Sequence, residues 1–306
     1  MADDHGTSPN PLPATATGTN REAFRRSEWG LLAGIALIWG SSFLFIDIGL
    51  DAFQPGVVTL ARVGLGAITL SLFPRSRKQI EPEHLGRIAV LGIIWLGIPM
   101  IIFPIAQQWI DSSVTGMLNA AVPIFSTIWA TILLRTFPGW KQTLGIGIGF
   151  VGVLAISIPE LGGSTAEALG VGLVLLAVIL YGLSANLAVP LQQQYGALPV
   201  LFRAQLVALI IIVPYGLLQL NGSTWAWDSA LAMIPLGTLG TGLAFVLMGT
   251  LFGRVGAARG SIAIYFVPIV AIALGVGILD ENLHPASIVG VGLVLVGAWI
   301  ASRKET

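Results

Sequence analysis

The side chains of this chain that could do chemistry are few, and the most informative lie inside long apolar runs. Arg62 stands about two turns, roughly 10 Å, from one end of its run. Its guanidinium fork suits the carboxylate of an anionic or zwitterionic solute; a structural ion pair or a clamp on backbone carbonyls accounts for it equally. Asp47, about one turn from the same end of the preceding run, is a candidate partner for Arg62 or a carrier of a coupling proton. Simple solvation near the interface is its plainer reading. Arg203 lies close enough to a run's end to extend its head into water as an anchor. Asn119, Asn186 and Gln205 need interhelical partners or a wet cavity, whereas Ser41 and Ser42 can bond back to their own helix. Trp39 and Tyr265 fall near run centres, away from the interfacial belt that such residues favour. They are candidate cavity walls, with ordinary packing the alternative for each. Pro123 and Pro268, at corresponding points of two runs, each remove a backbone hydrogen bond, so paired helix kinks beside a cavity are expected.

This set binds rather than catalyses. The chain has no cysteine, which removes thiolate metal sites, disulfides and cysteine nucleophiles. His5, His84 and His284 are too dispersed for a local metal motif. Gly147-Ile148-Gly149-Phe150-Val151-Gly152 matches G-x-G-x-x-G, but it lies mid-run with no strand before it, so it is no nucleotide loop. Gly145 and Gly149 instead fit a small-xxx-small packing face. No phosphate-binding G-x-x-x-x-G-K-[ST] segment occurs. We expect no enzyme, no cofactor and no metal.

The elements that must position these residues follow from composition. The 306 residues are 55% hydrophobic and 10% charged, against about 25% charge in soluble domains. A soluble fold of this size would lack the charged groups that cover a solvated exterior. Residues 1–28 differ: Pro9, Pro11, Pro13 and repeated Thr and Ala suggest a disordered tail. Ten apolar runs follow, each long enough to cross about 30 Å of hydrocarbon as a helix: Trp29–Leu50, Pro55–Phe73, Ile88–Trp109, Ser113–Leu134, Trp140–Ile158, Leu169–Leu191, Leu198–Leu218, Ser229–Phe252, Ala257–Leu279 and Pro285–Ser302. They are apolar all round, not alternating as barrel strands would be.

The cations test this map. If the tail is cytoplasmic, every second loop must be so too, and those segments hold Arg21, Arg25 and Arg26; Arg75, Arg77, Lys78 and Arg87; Arg135 and Lys141; Arg254 and Arg259; Arg303 and Lys304. The opposite loops hold none, which is the asymmetry of the positive-inside rule. Both termini are therefore expected in the cytoplasm.

An offset of 145 residues superimposes the halves of the chain. Pro123 falls on Pro268, Gly92 and Gly97 on Gly237 and Gly242, and Gly145, Gly147 and Gly152 on Gly290, Gly292 and Gly297. Trp39-Gly40-Ser41-Ser42 faces Tyr181-Gly182-Leu183-Ser184 at an offset of 142, and Pro55 faces Pro199 at 144. Five runs per half make the second half enter the bilayer from the opposite side. Such inverted repeats serve alternating access around a midplane site.

On these residues the chain resembles EamA-domain transporters of the drug/metabolite transporter superfamily. The matching pieces are WGSSF (Trp39 to Phe43), Ala61-Arg62, NAAVPIF (Asn119 to Phe125), YFVPIV (Tyr265 to Val270) and LDENLHPASIVGVGLVLVG (Leu279 to Gly297). The resemblance covers Trp29 to Ser302 and implies ten helices, an inner-membrane location and, frequently, export of amino acids or other small metabolites. Thr136 stands where the second half has Glu281, and Asp47 stands where many relatives have a lysine.

The expectation is an all-α integral membrane protein of ten transmembrane helices in two inverted five-helix repeats. The tail spans residues 1–28, the first repeat 29–158 and the second 169–302. It would be a multi-pass inner (plasma) membrane secondary transporter, an exporter of a metabolite, amino acid or drug-like solute. Its candidate cavity residues are Arg62, Trp39, Ser42, Asn119, Asn186, Gln205 and Tyr265, with Asp47 for coupling and Pro123 and Pro268 for kinks. Partners would be membrane lipids and a small-molecule solute, with no nucleic acid; oligomeric state is left open, a monomer being compatible. A non-transporting membrane scaffold or receptor is the alternative.

Overall fold

A chain this apolar can satisfy its backbone in lipid only by pairing each N–H and C=O within its own segment or within a closed sheet. It takes the first route. A computed structural model describes residues 13–16, 25–135, 139–161 and 164–301, and among them there is no strand. The helices are α1 (Arg26–Leu50), α2 (Pro55–Ser71), α3 (Pro82–Leu91), α4 (Ile98–Ala106), α5 (Ser112–Asn119), α6 (Val122–Leu134), α7 (Trp140–Leu161), α8 (Thr165–Tyr195), α9 (Ala197–Leu218), α10 (Trp227–Pro235), α11 (Ala244–Val255), α12 (Ala257–Gly260), α13 (Val267–Ile278) and α14 (Pro285–Ala301). Six stretches are long and apolar enough to cross a membrane: Arg26–Leu50, Pro82–Ala106, Ser112–Leu134, Thr165–Tyr195, Ala197–Leu218 and Trp227–Val255. Four apolar helices are shorter: Pro55–Ser71, Thr143–Pro159, Ala263–Ile278 and Pro285–Gly297.

The outer faces of these helices expose Leu37, Ile68, Ile210 and Leu218, a surface suited to hydrocarbon and not to water. Trp29, Trp140, Trp225 and Trp227 are exposed close to helix starts, where an interfacial belt would lie. The protein is a multi-pass membrane protein.

Local structure repeats at the sequence offset. Gly92–Gly97 joins α3 to α4 as a π-helical turn, and Leu236–Leu243 joins α10 to α11 in the same way. Glycine is needed there for contact. A Cβ on Gly92 would strike the Ala204 carbonyl and Val207 of α9, and one on Gly237 would strike Leu65 of α2. Arg135 and Asp280, also 145 apart, are the only described non-glycine residues with positive φ, at 52° and 53°. Helices α7 and α14 pack closely through the paired glycines. A Cβ on Gly297 would meet Gly145 and Gly149, and one on Gly152 would meet the Gly290 carbonyl. The G-x-G-x-x-G segment is thus a helix-packing surface within α7.

The prolines act differently from the expected kinks. Pro123 and Pro268 stand in the first turns of α6 and α13, after a break following Asn119 and a 3₁₀ segment Ser261–Phe266. A proline lacks the N–H that a first turn leaves unpaired anyway, so each starts a new helix instead of bending an old one.

Loops sort to two ends of the bundle. At one end Thr224 N donates to the Ala52 carbonyl (2.8 Å), Gln54 N to Ser223 Oγ (2.9 Å) and Ser229 Oγ to the Ile48 carbonyl (2.7 Å). At the other, Tyr195 O–H donates to Glu81 (2.8 Å) and Arg203 Nη1 to the Ser76 carbonyl (3.1 Å). The second end also receives Pro13 to Ala16. The Pro13 carbonyl accepts from Arg87 Nη2 at 2.9 Å, and Thr15, itself buried, donates to Asn186 Oδ1 at 3.3 Å. The rest of the expected tail up to residue 24, Thr136, and the terminal cations Arg303 and Lys304 lie outside the described residues.

Candidate functional site

A cavity opens between α1, α2, α4, α5, α6, α8 and α11. Helix α1 lines it with Trp39, Ser42, Phe43 and Ile46, whose i, i+3, i+4, i+7 spacing puts them on one face. Arg62 comes from α2, Trp95 from the first π-turn, Met100 and Phe103 from α4, Asn119 from α5 and Val122 from the start of α6. Tyr181 comes from α8, Phe245 and Phe252 from α11, and Ile264 from the 3₁₀ segment before α13.

The walls are aromatic and mutually braced. Trp39 meets Phe245 edge-on at 5.0 Å between centroids and donates its indole N–H to the Gly240 carbonyl at 3.0 Å. Trp95 touches Phe245 edge-on at 5.6 Å and stacks on Phe252 at 6.2 Å. The Phe103 ring stands 5.7 Å from those of both Phe43 and Tyr181. Rings held on several sides keep their orientation, so an entering molecule meets fixed faces and edges.

Besides the Tyr181 phenol and the Ser42 hydroxyl, two polar side chains break this surface, each with a buried unpartnered atom. Arg62 is 3% exposed; its Nε donates to Thr241 Oγ1 at 3.2 Å while Nη1 has no partner. Asn119 is 4% exposed with Oδ1 unpartnered. A buried donor or acceptor left unpaired costs about 1–3 kcal/mol, more when charged, so these atoms favour a ligand or water that meets them. Ser42 has spent its hydroxyl on the Ile38 carbonyl at 2.8 Å, as Ser41 has at 3.0 Å.

The remaining residues singled out from sequence lie elsewhere. Asn186 donates to the Ser126 and Gly182 carbonyls (2.8 and 3.0 Å) and receives Thr15. Gln205 donates to the Thr241 carbonyl at 2.7 Å, beneath the Thr241 hydroxyl that holds Arg62. It supports the site without lining it. Tyr265 is buried against the core, next to the lining residue Ile264. Asp47 makes no ion pair with Arg62 and does not line the cavity. Arg203 is an anchor on backbone carbonyls.

Most lining residues missed from sequence are aromatic or aliphatic side chains that look like ordinary core. The repeat offset was the available signal. Tyr181 is the counterpart of Trp39, Phe245 of Met100 and Ile264 of Asn119, and all six line the cavity.

Beside the cavity wall at Phe43, α5 and α13 meet in a close seam. Glu281 accepts from the backbone N–H of Ser112 (2.8 Å) and Ser113 (3.0 Å) at the start of α5. A Cβ on Gly116 would run into Ala271 and Phe43, so the two helices touch along small residues. Negative charge at a helix start is favourable in itself. Between α3 and α8, His84 Nδ1 sits 2.6 Å from the Tyr195 hydroxyl and 3.4 Å from Glu81, while Nε2 faces Glu83 at 3.6 Å. The two ring nitrogens point at different carboxylates. The cluster is a network bridging α3 and α8, in which Glu81, Glu83 and His84 each offer a ligand atom within 4.8 Å of the others.

The model of the EamA-like transporter family matches residues 28–158 and again 168–303. An "Uncharacterized transporter" of Archaeoglobus fulgidus is 24% identical over 290 residues, covering 91% of this chain and 99% of that protein. The "Probable terminal-alkyne amino-acid exporter" of Streptantibioticus cattleyicolor is 24% identical over 282 residues, 91% of this chain and 94% of its own. The transporter YoaV of Bacillus subtilis is 25% identical over 277 residues, 88% and 94% of the two chains. One solved crystal structure superimposes with a TM-score of 0.66 at 16% identity, over 91% of this chain and 98% of that one, a likeness of fold.

Proposed function

Because this chain belongs to the EamA-like transporter family, we propose that it is a secondary transporter exporting a small organic solute across the inner (plasma) membrane by alternating access. The solute is a metabolite, amino acid or drug-like molecule, and Arg62 and Asn119 hold its polar end. Ten helices cross the bilayer as two oppositely inserted five-helix units, with both termini in the cytoplasm. The observation that carries the reading is a buried aromatic cavity, shared by residues of both halves, whose guanidinium has an unpartnered nitrogen. Ligand cavities are concave and mostly apolar with a few convergent polar groups, and transporter sites lie at the interface of repeats. The convergence of Trp39 and Tyr181, and of Met100 and Phe245, on one chamber supports that symmetry. The Glu281 seam supports a state sealed towards the outside. The export reading draws on the exporter named among the relatives.

Counterflow in proteoliposomes tests the reading. We expect exchange of a small organic solute by the wild-type protein and strongly reduced exchange by Arg62→Ala, which still inserts. Undiminished flux in that variant removes Arg62 from the site. Reporter fusions placing the two termini on opposite faces of the membrane would overturn the topology.

A further inference from the structure

The cavity is electrically one-sided. Arg62 is its only charged lining residue, and no Asp or Glu lines it among the described residues. Arg62 is 3% exposed, and among the described residues no ion pair reaches it. Its guanidinium Nε donates to a neutral hydroxyl, that of Thr241. Guanidinium does not deprotonate in proteins, so a full positive charge stands in a chamber walled by hydrocarbon and rings.

From this we propose that the cavity selects its solute by net charge: it takes a flat, apolar organic anion, in preference to the matching zwitterion and against the matching cation. The inference rests on the cavity being the solute site and names the substrate class of that site.

An isolated buried charge is unfavourable, and its neutralisation is the largest gain a ligand can offer here. A monocarboxylate brings the chamber to net zero and can give Arg62 Nη1 the acceptor it lacks, in the bidentate geometry that guanidinium favours. A zwitterion of the same skeleton makes the same bond but leaves the chamber at net +1, with an ammonium that finds no carboxylate. A cation raises it to +2. Aromatic faces attract ammonium groups, but here they share a low-dielectric space with a fixed guanidinium, where like charges repel strongly. The unpaired Asn119 Oδ1 can take one donor, a hydroxyl or N–H of the solute. The seven rings around it, Trp39 and Trp95 among them, reward a flat apolar body with offset-stacked and edge contacts.

The test uses the full chain in phosphatidylcholine nanodiscs, with binding read by calorimetry. Four probes are compared: 3-phenylpropionate, phenylalanine, 2-phenylethylamine and acetate. They hold one skeleton at charges of −1, net zero and +1, and then the anion without its ring. We expect 3-phenylpropionate to bind about tenfold or more tightly than phenylalanine, on the scale at which like charges are rejected at interfaces. The amine and acetate should show no saturable binding in the same range. In Arg62→Gln the preference of anion over zwitterion should collapse, whereas Arg62→Lys should keep the order at lower affinity because it keeps the charge. Binding of phenylalanine or the amine as tight as the anion would overturn the charge rule and leave the cavity reading standing. Acetate binding as tightly as 3-phenylpropionate would overturn the apolar half of the rule. Absence of binding by all four would overturn the inference together with the cavity reading. The wild-type series decides these outcomes whether or not the Arg62 variants fold.

Discussion

Replacing Glu281 by glutamine should loosen the seam between α5 and α13 and expose the cavity to the outside. The carboxylate accepts two backbone N–H bonds, 2.8 Å from Ser112 and 3.0 Å from Ser113. Bonds to a charged group contribute about 1.5–3 kcal/mol each, and neutral ones about 0.5–1.5 kcal/mol. Glutamine keeps one carbonyl acceptor, loses the other, and removes the charge that stabilises a helix start by about 0.3–1 kcal/mol. At the low end of these ranges the net loss is about 2 kcal/mol, which already multiplies an opening equilibrium by about 30. The absence of cysteine gives a clean assay, since any engineered thiol is the only one. Ile46→Cys places it on the cavity wall, 1% exposed, about one turn from the end of α1 nearest the seam. A membrane-impermeant maleimide added outside right-side-out vesicles should label Ile46→Cys slowly, and about 30 times faster when Glu281→Gln is added, provided opening limits access. Equal labelling rates in the two backgrounds would refute the idea that this carboxylate holds the outer seam.

Other perturbations reach other parts of the molecule. Gly152→Val drives a side chain into the Gly290 carbonyl and Val294 N of α14, so thermal unfolding in detergent should shift down by the equivalent of about 2 kcal/mol or more; Gly147→Ala, with nothing within 4 Å of its new methyl, should not. Tyr195→Phe removes the hydroxyl that meets both His84 and Glu81 and should destabilise the protein by about 1–2 kcal/mol in the same assay. Deleting residues 1–24 takes away Thr15 from Asn186, so a thiol at Asn186→Cys should react faster with a cytoplasmic-side maleimide than in the full chain. Gln205→Leu leaves the Thr241 carbonyl without its donor and should weaken solute binding severalfold through Arg62, while Gln205→Glu, which adds a charge nearby, should also alter the anion preference.

Much of the architecture was legible because lipid allows so few alternatives. Runs of apolar residues in a chain with 10% charge had to become helices. Small residues repeated at one offset had to serve equivalent contacts, and Gly145, Gly152, Gly290 and Gly297 do meet between α7 and α14. The prolines were harder. Pro123 and Pro268 were readable as interruptions, but whether a proline bends a helix or begins one depends on the backbone just before it. At Ala120 and Ala121, and at Ser261 to Phe266, that backbone has already left the α-helix.

The site divides in the same manner. Sequence alone could single out Arg62 and Asn119, because a charge or an amide in hydrocarbon is expensive enough to need a purpose. What only the tertiary structure decided was which polar groups face the chamber and which face protein: Asn186 and Gln205 have partners in neighbouring helices, Asp47 stands apart from Arg62, and ten further apolar or aromatic residues complete the lining. The reason is geometric. A helix's composition determines that it will be buried in the membrane, but its rotation about its own axis is set by the helices packed against it, and that rotation aims each side chain.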